Sequence, residues 1–228
     1  MTLQVFEIGA AVADATGGRV MASGAGWAWL RDGGRVLHVA GVHGPHGPLT
    51  AIVGRLPPSE PGDRVRLDAS GARSWRTPPV TVTASPDAIR DACLLVRPHV
   101  WNDPRALLLG TVPVAQITDD LVGRGPGLTP AGDDALAGYV YTAVALGRAD
   151  AAEAAAAARQ AAAETGEPSA SLLRLAADGE VFAPVGAMLG ALVGTNPDAL
   201  APALRNLTAL GRTTGRAILT GMVRALES

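Results

Sequence analysis

The sequence predicts an α+β protein, with a small β-barrel or sandwich over residues 1–84 and a helical domain over residues 85–228. Two observations carry that prediction. Up to about residue 84 the apolar residues fall in short runs parted by glycine and proline, as in a barrel or sandwich. From Ser85 onward they recur at helical spacing, and capping signals punctuate the chain. At 48% hydrophobic residues, the chain has enough apolar material for a sizeable core.

In chain order, Gln4–Ile8 alternates in part and reads as a first strand. Gly26–Leu30 and Val36–Val42 flank Arg31-Asp32-Gly33-Gly34, which reads as a hairpin turn. Leu49–Val53, Arg64–Leu67 and Val80–Val82 are further strands, and Pro45, Pro48, Pro57, Pro58 and Pro61 fall in the loops. Ser85-Pro86-Asp87 supplies an N-cap, a proline at the first helical position and a first-turn acid. Helices are then expected over Ala131–Leu146, Asp150–Ala163, Ser169–Ala177, Pro184–Val193, from Asn196 to near Gly211, and over Thr214–Leu226. Ala154–Ala158 reads as plain helix, because alanine is the best helix former.

Composition excludes several classes. The net charge of −2 gives no electrostatic footprint for nucleic acid or an anionic membrane. No apolar run is long enough for a membrane span, and Met1–Ala10 lacks the layout of a signal peptide, so a cytoplasmic location is expected. The single cysteine, Cys93, excludes an internal disulfide and a multi-cysteine zinc site, and its apolar surroundings read as core. All 19 basic residues are arginine, which excludes a Schiff-base lysine and a Walker lysine. Any anion site must use arginine, backbone N–H groups, hydroxyls or a metal ion. His43 and His46, in the Gly41–Leu49 loop, read as solvated, with no third metal ligand nearby.

The segment from Gly123 to Asp134, Gly-Arg-Gly-Pro-Gly-Leu-Thr-Pro-Ala-Gly-Asp-Asp, stands out. Gly125 and Gly127 let the backbone approach a ligand, Thr129 reads as N-cap and Pro130 as the first helical residue. Asp133 and Asp134 then fall in the first turn, where the helix dipole favours a negative charge by roughly 0.3–1 kcal/mol each. Two acids beside the free N–H groups of a helix start would repel an anion unless a cation lies between. Mg²⁺ held by Asp133 would reconcile the two. Capping and dipole compensation is the plain alternative.

Gly211-Arg212-Thr213-Thr214-Gly215-Arg216 again joins a helix end to a helix start. It offers two hydroxyls and the planar forks of Arg212 and Arg216 for phosphate or carboxylate, or simply a glycine C-cap followed by a threonine N-cap. In Thr165–Ser171 either Thr165 or Ser169 could cap, and Ser169 could also face a ligand. Two glycine-flanked, hydroxyl-bearing helix starts in one domain could converge on one ligand.

Gly125–Asp134 resembles the hallmark Gly-x-Gly-x-Gly-Leu-Thr-Pro-Ser-Gly-Asp-Asp run of the domain-of-unknown-function family 2877. That family includes a subunit of bacterial oxamate carbamoyltransferase, of allantoin degradation. Ala131 replaces the usual serine, and Ala217 stands where the family's late Thr-Ser-Gly-x-Asp segment has its acid. The resemblance implies transfer of a carbamoyl group between carbamoyl phosphate and oxamate, with heteromeric partner subunits. On the residue reading, Gly125, Gly127, Thr129, Ser169, Arg212, Thr213 and Thr214 are the candidates to bind a small phosphorylated or carboxylate substrate, with Asp133 and Asp134 as candidate catalytic acids. A Mg²⁺-dependent hydrolase or nucleotide-binding protein, and a non-catalytic assembly subunit, are the alternatives.

Overall fold

The computed structural model describes residues 1–228. They form two compact units, Met1–Thr77 and Pro78–Ser228. The architecture is α+β, with the strands in the first unit and the longer helices in the second.

The first unit is a six-stranded barrel with one extra strand. Its strands are β1 (Thr2–Gly9), β2 (Gly17–Gly24), β3 (Trp27–Asp32), β4 (Arg35–Gly41), β5 (Thr50–Val53), β6 (Arg64–Asp68) and β7 (Arg73–Trp75). They lie in the order β5-β4-β3-β2-β6-β1-β7, and a further β1–β5 pairing closes the ring. Closure satisfies the edges that an open sheet would expose. β6 and β7 both run parallel to β1, the first along Thr2–Gln4 and the second along Glu7–Gly9. They act as one interrupted strand on the same side of β1. Alternation sets the inside: on β6, Val65 and Leu67 are buried while Arg64, Arg66 and Asp68 face out.

Three expectations need correction here. Val80–Val82 is not a strand; the N–H groups of Thr83 and Ala84, just beyond it, both donate to the Val193 carbonyl at 2.9 Å. β2 and β7 were missed, since glycines frame β2 and β7 has only three residues. His46 is not simply solvated: its Nδ1 hydrogen-bonds the largely buried Glu7. The buried His38 imidazole is pushed down to about 4 by desolvation.

The second unit contains α1 (Pro86–Val96), α2 (Val114–Leu121), α3 (Ala131–Ala145), α4 (Ala151–Ala161), α5 (Glu167–Ala177), α6 (Ala183–Leu192), α7 (Leu200–Thr208) and α8 (Thr214–Glu227). α3 is apolar and buried nearly all round, which marks a central helix. α2, α4, α5 and α8 pack on it. α8 comes closest, through glycine. A Cβ on Gly138 would lie 2.2 Å from the Ile218 carbonyl oxygen, and one on Gly221 would lie 2.0 Å from that of Ala135. Only a hydrogen side chain allows backbones this near. Cys93 is buried, and desolvation pushes its thiol up to about 12, in keeping with core rather than nucleophile. No helix is long and apolar enough to cross a membrane.

Candidate functional site

The glycine loop runs from the end of α2 to the start of α3. Gly123, Gly125 and Gly127 have φ of 69°, 108° and 110°, a region that side-chain-bearing residues seldom enter. The loop folds back on itself, so that the Gly132 N–H donates to the Arg124 carbonyl at 2.9 Å. Pro130 occupies the N-cap position of α3 and the cap carries no side-chain bond, so Thr129 does not cap as the sequence suggested. Its hydroxyl turns inward instead.

The two acids have different surroundings. Asp133 is 1% exposed; its Oδ1 accepts from the Gly123 N–H at 2.8 Å and its Oδ2 from the Thr165 hydroxyl at 2.5 Å. It therefore ties the loop's beginning to the segment before α5. Asp134 is 2% exposed, and its Oδ2 accepts from the Thr129 hydroxyl at 3.3 Å. Burial pushes its carboxyl up to about 8 and the neighbouring Asp133 charge adds to this, against the lowering effect of the Thr214 and Thr129 hydroxyls.

The Thr129 and Thr214 hydroxyls lie 3.2 Å apart. That contact joins the glycine loop to the start of α8, two segments 85 residues apart in sequence. Thr213 takes the N-cap position of α8 without a side-chain bond, and Thr214 is half-buried beside it. Arg212 and Arg216 are exposed, and neither guanidinium donates to the protein. Gly166 holds the N-cap position of α5, so neither Thr165 nor Ser169 caps. The Ser169 hydroxyl is buried and has no hydrogen-bond partner.

Residues that sequence reasoning missed stand behind the loop. Asp103 Oδ2 accepts from Arg124 Nε at 3.1 Å, and its Oδ1 from the Arg105 N–H at 2.9 Å. Burial pushes the Asp103 carboxyl up, but these bonds outweigh it and leave the group below its ordinary value. The Trp101 N–H donates to the Thr220 hydroxyl at 2.8 Å, which fastens this segment to α8. The Pro at 104 and the asparagine and aspartate before it signal a turn, but nothing local points to Arg124.

Asp133, the expected Mg²⁺ ligand, is held by the protein itself. Both Asp133 oxygens already accept from protein donors, and no three His, Cys, Asp or Glu residues come together as a metal-ligand set. What remains is a cluster of hydroxyls and two carboxyls that could exchange hydrogen bonds with a small polar ligand.

Ala217 is fully buried in α8 and adds no polar group. No curated protein and no solved structure matches the chain. Residues 121–226 do match the family model described as oxamate carbamoyltransferase subunit AllH, a stretch that takes in the glycine loop, both acids, α5 and the Thr213–Arg216 segment.

Proposed function

We propose that the helical unit supplies a substrate-binding part of an oxamate carbamoyltransferase-like enzyme that works with partner subunits. Its substrates are a small phosphorylated or carboxylate molecule and a small amide acid. In the transfer, the amide nitrogen bonds to the carbamoyl carbon, the carbon–oxygen bond to phosphate breaks, and the nitrogen's proton leaves with the phosphate. Such a reaction needs positioning and hydrogen-bond donors more than covalent help from the protein.

The observation that supports this most directly is the 3.2 Å contact between Thr129 and Thr214, because it brings the two glycine-flanked segments together within the family-matched stretch. Gly125 and Gly127 offer backbone N–H groups, Thr213 and Thr214 offer hydroxyls at the start of α8, and Arg212 offers an exposed fork. Asp134 is the acid placed to act through Thr129 and Thr214. Asp133 acts by position, since its oxygens hold the loop. Ser169 supplies a further hydroxyl that lacks a partner.

Isothermal titration tests the reading. Carbamoyl phosphate should bind the chain, alone or with its partner subunits, and Thr214→Val together with Arg212→Ala should weaken it by about ten-fold or more. Absence of heat with carbamoyl phosphate, phosphate and oxamate under both conditions would refute it.

A further inference from the structure

Two buried acids beside the segments proposed above to bind an anion pose a difficulty, and their partners suggest its answer. Asp133 and Asp134 accept from one backbone N–H and from the hydroxyls of Thr129 and Thr165, with Thr214 bonded to Thr129. No cationic side chain is among these partners. A carboxylate or phosphate seated against this group would set its oxygens against those of two buried carboxyls, with no cation between. A neutral primary amide or carbamoyl group would not: its NH₂ donates to carboxyl and hydroxyl oxygens, and its carbonyl accepts from the hydroxyls.

A second observation points the same way. In the first turn of α5, four residues past Thr165, the Ser169 hydroxyl is 1% exposed and unpartnered. It lies on the buried stripe of α5, the helix that packs on α3 and α4. A buried polar group without a partner is costly and asks for an exogenous donor or acceptor.

We propose, building on the function proposed above, that Asp134, Thr129 and Thr214 receive the N–H-bearing amide or carbamoyl end of the substrate, while Arg212 and Arg216 receive its anionic end. Selectivity then comes from the polar end that is not charged. A site that is built to bond an N–H group rejects the analogue that lacks it, because its own buried acceptors would be left unpaired.

Oxamate and oxalate separate the two ends, since they share one carboxylate and differ in NH₂ against O⁻. Titrated by calorimetry into the full chain, with partner subunits where carbamoyl phosphate binding requires them, oxamate should bind about ten-fold or more tighter than oxalate. Thr214→Val should bring that ratio towards one and Thr214→Ser should restore it, with melting temperature confirming that both fold. Arg216→Ala should weaken both ligands alike. Equal affinity for oxalate in the wild-type chain, or a ratio unmoved by Thr214→Val, overturns this inference and leaves the proposed function standing. If neither oxamate, oxalate nor carbamoyl phosphate binds, both fall.

Discussion

The second unit holds aspartates in two regions, Asp150 partly exposed and Asp134 buried, and it treats them in opposite ways. Beyond the C-terminal end of α3, Asp150 takes the Tyr139 hydroxyl at 2.6 Å and Arg148 Nε at 2.9 Å. Arg148 also donates to Asp150 Oδ2, to the carbonyls of Ala225 and Ser228 and to the Ser228 hydroxyl, so all of its N–H groups are engaged. Burial pushes the Asp150 carboxyl up, but the bonds from Arg148 and Tyr139 prevail and hold it below its ordinary value. At the N-terminal end, Asp134 has only hydroxyls and rises to about 8. The first arrangement is closed, with donors and acceptors matched inside the protein. The second has no charge partner and is linked through Thr129 to a half-buried hydroxyl at the start of α8. A cavity of about 250 Å³ borders Arg148 and Asp150, yet that pair leaves no N–H group for a ligand. Room alone does not make a binding site.

The substitution with the largest expected effect removes both regions together. Gly221→Ala drives a methyl group into the Ala135 carbonyl and the Tyr139 N–H, so α3 and α8 must separate. A loss of about 3 kcal/mol or more is expected in chemical denaturation. A change below about 1 kcal/mol would mean that the helix crossing is softer than its geometry implies.

Breaking the closed region alone comes next. Arg148→Ala strips Asp150 of its cationic partner and removes a donor from the Ala225 and Ser228 carbonyls, and should cost about 2 kcal/mol, moderated because the pair is about a quarter exposed. Oxamate affinity should stay as in the wild type, which would mark this region as structural.

Asp134 gives the pH test. Its folded value lies above the unfolded one, so between about 4 and 8 the native state holds a proton that the unfolded chain has released. Stability should therefore fall as pH rises through that window, at up to about 1.4 kcal/mol per pH unit, and level off above about 8. Asp134→Asn should flatten that slope and raise the melting temperature at pH 7. A wild-type slope retained in the variant would remove Asp134 from the account.

The smallest effect belongs to Ser169→Ala. An unpartnered buried hydroxyl contributes no hydrogen bond, so its removal should change stability by less than about 0.5 kcal/mol while weakening oxamate binding. A loss of stability with unchanged binding would reverse its role.

Much of this was legible in local signals. The strand-to-helix change of period, the Gly33-Gly34 turn between β3 and β4, and the Ser85 cap, whose hydroxyl accepts from the Ala88 N–H, all depend on residues close in sequence. Val80–Val82 misled because three β-branched or small residues say nothing about whether a partner strand exists. At the site, residue types marked the glycine loop and the Thr213–Thr214 pair. They could not say that Pro130 rather than Thr129 sits at the cap, since both fit a helix start and the Thr129 hydroxyl bonds Asp134 and Thr214 instead, the latter from 85 residues away. Asp103 and its bond to Arg124 were hidden for the same reason: the partners are 21 residues apart and share no motif.

The burial of Cys93 has a consequence for the chain's own durability. Activated carbamoyl compounds, and the cyanate they shed, attack amines and thiolates indiscriminately. This chain has no lysine ε-amino group, and its one thiol is shut in the core with its proton held to about 12. A protein that handles such a reagent at Thr129 and Thr214 would offer it no amine or thiolate side chain elsewhere, and so would resist slow self-inactivation by its own substrate.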